Sequence, residues 1–187
     1  MQKTTFYKRF VGLFVISLCL LHSVNSACAS QDLSDIRKLA EQGDSNAQYH
    51  LGLKYAYGPN AEDYQQAAFW YRKAAEQGDV TAQLSLGYFY DTGKGVGMDA
   101  KQAVVWYRKA AEQGDAIGQQ ALGEMYLAGK GVPQDNIQAY AWLSVAVANG
   151  KSSSESIDLR DLAAKKLTKQ KLEAAQKLAG EYFEKYK

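Results

Sequence analysis

The pentapeptide Ala-Glu-Gln-Gly-Asp occurs three times in this chain, at residues 40–44, 75–79 and 111–115. The copies lie 35 and 36 residues apart. Glycines recur at the same spacing through a fourth position, at Gly43, Gly78, Gly114 and Gly150. A fixed period of this length indicates a stacked array of similar units. We therefore expect three repeats, at residues 44–78, 79–114 and 115–150.

Each repeat is expected to form two helices. In the second repeat, Leu86 and Phe89 recur at helical spacing, the glycine-rich stretch 93–97 interrupts the pattern, and Trp106 and Ala110 resume it. Glycine is the residue favoured just after a helix end. Aspartate is favoured just before a helix start, because its carboxylate accepts free backbone amides. The pentapeptide is therefore interpreted as a joint between two helices.

Within the repeats, aspartates occupy every predicted helix start. The first helices are predicted to be capped by Asp44, Asp79 and Asp115, and the second helices by Asp63, Asp99 and Asp135. A glutamine follows each of the last three aspartates at the third position, which resembles a capping box.

Two further sets of residues recur at equivalent positions. Gly52, Gly87 and Gly123 lie inside the first helices, where glycine costs about 1 kcal/mol relative to alanine. We therefore expect a neighbouring helix to approach the backbone there. Trp70, Trp106 and Trp142 share one position of the second helices. A ladder for stacking bases or sugars is the alternative, but we favour core filling.

The repeated pattern A-x-x-x-L-G-x-x-Y, then G-K-G-V, an aspartate and W-Y-R-K-A-A-E-Q-G resembles the Sel-one-like repeat, a relative of the tetratricopeptide repeat. The resemblance covers residues 40–150. The first copy departs from it at residues 57–60, where the loop is one residue shorter and lacks the lysine and valine. The resemblance implies an all-α, right-handed α-α solenoid of helix-turn-helix repeats. Residues 30–43 and 151–187 are expected to form terminal capping helices.

The resemblance also implies an adaptor that binds a protein or peptide partner on a concave face lined by the first helices. The L-G-x-x-Y anchor aligns each copy with the groove positions of the tetratricopeptide repeat. They correspond to Asn46, Tyr49, Leu53 and Tyr57 in the first copy, Thr81, Leu84, Tyr88 and Asp91 in the second, and Ile117, Gln120, Glu124 and Leu127 in the third. Tyrosine is frequent at binding hot spots, so this mixture suits a peptide or protein surface.

Residues suited to catalysis are few. Outside the first 29 residues His50 is the only histidine, and no cysteine–histidine pair is available for zinc. No nucleophile or phosphate-loop motif occurs. We therefore expect a non-catalytic protein without cofactor or metal. Some cysteine-rich relatives are linked to β-lactams, but their paired cysteines are missing here. A periplasmic protein that acts on cell-wall material or β-lactams remains the alternative.

The N-terminus predicts export to the periplasm or the medium. Lys3, Lys8 and Arg9 precede an apolar run at 10–21, and Ala-Cys-Ala at 27–29 fits a cleavage site, so residues 1–29 resemble a signal peptide. An uncleaved anchor and a lipid on Cys28 are alternatives, although Asn25 is unusual for lipidation. Cleavage leaves 19 basic and 20 acidic residues, so no strong field for nucleic acid remains. No membrane span is expected after cleavage.

Overall fold

The computed structural model describes residues 26–57, 63–149 and 154–186, with side chains from residue 33 onward. Gly150 and the part of the predicted signal peptide before residue 26 lie outside the described residues. Within this part the chain forms nine α-helices and no strand, which confirms the all-α prediction. In chain order they are α1 Ser26–Glu41, α2 Ser45–Tyr57, α3 Tyr64–Glu76, α4 Val80–Thr92, α5 Ala100–Glu112, α6 Ala116–Ala128, α7 Asn136–Ala148, α8 Ser154–Lys165 and α9 Lys169–Tyr186.

The chain divides into two compact units, Met1–Asp35 and Ile36–Lys187. The first unit contributes only the start of α1 to the described residues. That helix begins at Ser26, earlier than the predicted start at residue 30. Alanines at positions 27 and 29 favour helix, which is consistent with the earlier start. All the repeats belong to the second unit.

Helices of the second unit pack in sequential pairs. Within the repeats, α2 packs against α3, α4 against α5 and α6 against α7. Each pair is joined to the next because α3 also packs against α4, and α5 against α6. The last two helices, α8 and α9, both pack against α7. This arrangement confirms the predicted α-α solenoid.

The recurring pentapeptide forms the joint between consecutive repeats. Its glycine takes a left-handed conformation, with φ of 95° at Gly78 and 84° at Gly114, which a side chain would disfavour. The next N–H, that of Asp79, donates to the carbonyl of Ala74 at 3.1 Å and so closes the preceding helix. The Asp79 carboxylate then accepts the N–H of Ala82 at 2.7 Å and caps α4. Equivalent caps are formed by Asp44 on α2 and by Asp115 on α6.

The second helix of each repeat is capped in the same manner. Asp63 accepts the N–H of Gln66 at 3.0 Å, and both Asp99 and Asp135 accept two backbone N–H groups. The third glutamine of the predicted capping boxes contacts another element, because Gln138 Oε1 accepts a hydrogen bond from the Tyr182 hydroxyl at 2.9 Å. That glutamine therefore connects α7 to α9.

Close contact between paired helices accounts for the glycines inside the first helices. A Cβ added to Gly52 or Gly87 would lie 2.6 or 2.7 Å from the ring of Tyr71 or Tyr107, and one added to Gly123 would lie 2.7 Å from Leu143. The three repeated tryptophans are buried, with 8%, 7% and 1% of the surface exposed at Trp70, Trp106 and Trp142. Both sets of residues therefore belong to the packing between helices.

A row of buried glutamines links the joints, and the sequence did not lead us to expect it. Gln83 donates to the carbonyl of Ala75 at 3.1 Å and accepts from Gln113 Nε2 at 2.9 Å. The same Gln113 amide donates to the Gly78 carbonyl of the preceding joint at 3.2 Å. Equivalent bonds are made by the pairs Gln48 with Gln77 and Gln119 with Asn149. Gln77 and Gln113, the pentapeptide glutamines of the second and third copies, therefore each bond to a first helix as well as ending a second one.

Candidate functional site

The first helices of the three repeats present one stripe of side chains each. In each first helix the stripe contains the residues six and three positions before the internal glycine and the residue one position after it. Helical periodicity places these residues on one side of the helix. The outermost position is exposed and the other two are partly buried. We call this surface the first-helix face. It consists of Asn46, Tyr49, Leu53 and Tyr57 on α2, Thr81, Leu84, Tyr88 and Asp91 on α4, and Ile117, Gln120 and Glu124 on α6, where Tyr57 and Asp91 extend the stripe by one helical turn.

One of the residues predicted for this surface, Leu127, is buried instead. Leu127 has 7% of its surface exposed and packs with Ala139 and Ala163, because α8 covers the end of the third repeat. Asp91 forms an ion pair with Lys130 of the next repeat at 2.6 Å. Both lie four residues after their glycine, whereas Tyr57, which is 48% exposed, lies five after. The residues equivalent to Tyr57 are the exposed Thr92 and Ala128.

The part of the face from the first two repeats is aromatic. The ring centroid of Tyr49 lies 5.8 Å from that of Tyr71, and the Lys94 ammonium lies 5.2 Å from the ring centroid of Tyr88. The same ammonium lies 5.3 Å from the ring centroid of Tyr64. Burial raises the pKa of Tyr49 to about 12, and the negative charge of Asp79 adds to the effect. The phenol therefore stays neutral and can donate a hydrogen bond at physiological pH.

The part of the face from the third repeat is acidic. The Glu124 carboxylate accepts a hydrogen bond from Gln120 Nε2 at 2.8 Å, and the Ser156 hydroxyl of α8 donates to Gln120 Oε1. Burial raises the pKa of Glu124 to about 6. The hydrogen bond from Gln120 opposes this shift, whereas the negative charges of Glu155 and Asp91 add to it. In the described part of the chain no basic side chain forms an ion pair with Glu124.

No other constellation of reactive groups stands out in the described residues. His50 is exposed, and its ring lies 5.4 Å from that of Tyr49. Over residues 33–57, 63–149 and 154–186, no three carboxylate, histidine or cysteine side chains come together in a way that could hold a metal ion. Among the described helices, none is long and apolar enough to cross a membrane.

The family model of the Sel1 repeat matches residues 45–79, 80–115 and 116–151. The chain belongs to the Sel1 repeat family. Each match begins one residue after the capping aspartate of its first helix, so the three units coincide with the helix pairs. The Sel1 repeat typically mediates protein interactions and is generally a non-catalytic scaffold.

Solved structures support this assignment. A protective antigen of uropathogenic Escherichia coli strains that displays an SLR fold is 42% identical with a TM-score of 0.77, over 84% of this Sel1 repeat protein and 33% of the antigen. A Sel1 repeat protein from Oxalobacter formigenes is 35% identical with a TM-score of 0.62, over 70% and 98% of the two chains. Cysteine rich protein B of Helicobacter pylori is 26% identical with a TM-score of 0.55, over 68% and 94%.

The chain therefore spans about one third of the length of the E. coli antigen. A search of curated proteins found no match.

Proposed function

We propose that this Sel1 repeat protein is an exported, non-catalytic module that binds a protein or peptide partner on its first-helix face. The observation that carries the proposal is the presence of accessible tyrosines on consecutive first helices. Tyr49, Tyr57 and Tyr88 keep part of their surface exposed, although the glycines, alanines and glutamines beside them are buried. Tyrosine offers apolar area and a polar tip, and this is why it is enriched among residues that dominate binding energy.

Rigid support of these side chains favours binding. The backbone of α4 is held by the Asp79 cap at one end and by the hydrogen bonds of Gln83 to Ala75 and Gln113. Its glycine, Gly87, lies against the ring of Tyr107. A partner that docks on α4 therefore meets side chains on an ordered backbone, and less conformational entropy is lost on association.

The N-terminal sequence supports export. Its basic start, its apolar run at 10–21 and the small residues at 27–29 occur in the order of a signal peptide. Cleavage leaves a chain with almost balanced charge, which favours neither nucleic acid nor an anionic membrane as the partner. N-terminal sequencing of the protein recovered from the envelope or medium tests this part of the proposal. A chain that starts at residue 1 in the cytoplasm would contradict it.

A peptide-binding experiment tests the face. Random dodecapeptides displayed on phage are selected on the purified protein, and the affinity of selected peptides is measured by fluorescence anisotropy. The double variant Tyr49→Ala, Tyr88→Ala is expected to bind about tenfold more weakly or worse, since hot-spot residues are lost. The matched control, Phe69→Ala with Val105→Ala, removes exposed apolar side chains from the second helices and is expected to bind normally.

Circular dichroism establishes that both double variants remain helical. Equal affinity of the tyrosine double variant and the unchanged protein would show that the partner binds elsewhere. Turnover of nitrocefin or peptidoglycan by the purified protein would instead favour the enzymatic alternative.

A further inference from the structure

The first-helix face has two chemically different parts. The helices α2 and α4 contribute Tyr49, Leu53, Tyr57 and Tyr88, whereas α6 contributes Glu124 to the adjoining part. A segment that lies along this face would contact both parts, because the stripes come from consecutive helices of one stack. The identity of the partner is therefore constrained by the aromatic surface and by the charge beside it.

Acidic groups act on Glu124, and no basic side chain of the described residues forms an ion pair with it. The charged groups that act on it are Glu155 from α8 and Asp91 from α4, and both are negative. Lys130 lies in the same region, but its ammonium is paired with Asp91 at 2.6 Å. A partly buried carboxylate loses hydration, and the hydrogen bond from Gln120 compensates for this loss only in part. Charge complementarity therefore favours a cation opposite Glu124.

The geometry also indicates what kind of cation fits. In the described part of the chain no three carboxylate, histidine or cysteine side chains come together in a way that could hold a metal ion. An ammonium or guanidinium group presents several N–H donors and suits separate carboxylates. A lysine or arginine also carries an apolar stem, which can pack against neighbouring tyrosine rings.

We propose that the partner segment carries a lysine or arginine that pairs with Glu124, together with apolar or aromatic side chains that cover the tyrosines of α2 and α4. This inference rests on the proposed function, because it names the chemistry of a partner at the same face. It also explains why this part of α6 keeps a carboxylate without a counter-charge. The bound cation supplies the positive charge that no described side chain brings into an ion pair with Glu124.

A double-mutant cycle tests the pair. Peptides selected by phage display are synthesised with their basic residue or with norleucine in its place, and each is titrated into the unchanged protein and into Glu124→Gln. Removal of the basic residue is expected to weaken binding to the unchanged protein by roughly 10- to 100-fold, the size of a charged hydrogen bond. Binding to Glu124→Gln should change by no more than about twofold, because the carboxylate is already absent.

The control variant is Glu76→Gln, which removes an exposed glutamate at the end of α3. It should behave as the unchanged protein does. A second arm varies pH: affinity for the basic peptide is expected to fall as Glu124 is protonated below about pH 6, and Glu124→Gln should not show this fall.

Different failures have different meanings. If norleucine weakens binding to both proteins equally, or if tight peptides contain no basic residue, the cation pair is wrong while binding at the tyrosines can still hold. If the tyrosine double variant binds every selected peptide normally, or no peptide binds, the proposed function fails and the inference fails with it.

Discussion

Gly87 lies where α4 packs against α5, and the ring of Tyr107 occupies the space that a side chain would need. Replacement by alanine would put a Cβ 2.7 Å from that ring, closer than carbon atoms can approach. The helices or the ring must then shift. We expect Gly87→Ala to lower the free energy of unfolding by about 1–3 kcal/mol, as overpacked cores do.

The matched control is Gly180→Ala on α9, where a Cβ would meet nothing within 4 Å. That change is expected to raise the free energy of unfolding by about 0.5–1 kcal/mol, because alanine is the better helix former. Urea unfolding followed by circular dichroism measures both variants. A stabilised Gly87→Ala would mean that the Tyr107 ring does not limit the approach of the helices.

Glu124 gives a second prediction at the residue scale. Its pKa in the folded protein is raised from 4.5 to about 6, so folding favours the protonated form. The resulting stability is fully present below pH 4.5 and is lost as pH rises through about 6. Glu124→Gln avoids this loss. At neutral pH it is expected to be more stable by up to about 2 kcal/mol, since one pKa unit is worth about 1.4 kcal/mol.

At pH 4.5 the two proteins should have similar free energies of unfolding. Denaturant unfolding at both pH values measures the difference, with Glu76→Gln as the exposed control. Equal stability of Glu124→Gln and the unchanged protein at neutral pH would show that the carboxylate costs nothing. Burial of the Glu124 carboxylate would then no longer be a reason to expect a cation from the partner.

At the scale of the element, the pentapeptide glutamine has different roles in different copies. Gln113 donates to Gln83 and to the Gly78 carbonyl, and Gln83 is only 3% exposed. Gln113→Ala leaves both acceptors without this donor, so we expect a loss of about 1–3 kcal/mol in the free energy of unfolding. Gln42 is the equivalent glutamine of the first pentapeptide, and its side chain is exposed. Gln42→Ala is therefore the matched control and should change stability by less than about 0.5 kcal/mol.

Thermal and urea unfolding measure the loss in the free energy of unfolding for each of the two variants. The result that would contradict this account is an equal loss in Gln42→Ala and Gln113→Ala, because the shared effect would then be helix propensity at the joint. A larger loss in Gln113→Ala assigns the difference to the bonds between first and second helices.

The local signals in the sequence were enough to predict helices, joints and caps. Each of these depends on residues a few positions apart, as with Asp79 and the N–H of Ala82. The position of Leu127 could not be predicted in this way, because its burial depends on where α8 packs. The Gln83–Gln113 bond was missed for the same reason, since its partners are 30 residues apart.

The tryptophans of the second and third repeats have different neighbours. In the second repeat the Lys109 ammonium lies 4.0 Å from the ring centroid of Trp106. The equivalent residue of the third repeat is Val145, and the Trp142 ring there is contacted by Tyr182 at 4.5 Å. The third repeat thus has an aromatic contact from α9 and a valine at the lysine position. This difference is visible in the sequence only after the repeats have been aligned and α9 has been placed.

At the scale of the whole molecule, the described repeats are stabilised by buried clusters between adjacent helices rather than by one central core. The buried clusters combine residues of adjacent helices: Trp70 packs with Ala40 and Leu51, and Trp106 packs with Leu86. In such a stack each unit is stabilised mainly by its neighbours. The described ends of the stack are therefore expected to respond separately to core substitutions.

Trp142→Ala is the change that tests this independence. The Trp142 ring is 1% exposed and contacts Tyr182 and Tyr186 with centroids 4.5 and 5.4 Å away, so its loss removes the main aromatic contact between α7 and α9. We expect a loss of about 3–5 kcal/mol in local stability. Hydrogen exchange measured by mass spectrometry should become faster in α6, α7 and α9 and stay unchanged in α2 and α3. Trp70→Ala should give the reverse pattern, whereas faster exchange in every helix of both variants would mean that the stack unfolds as a single cooperative unit.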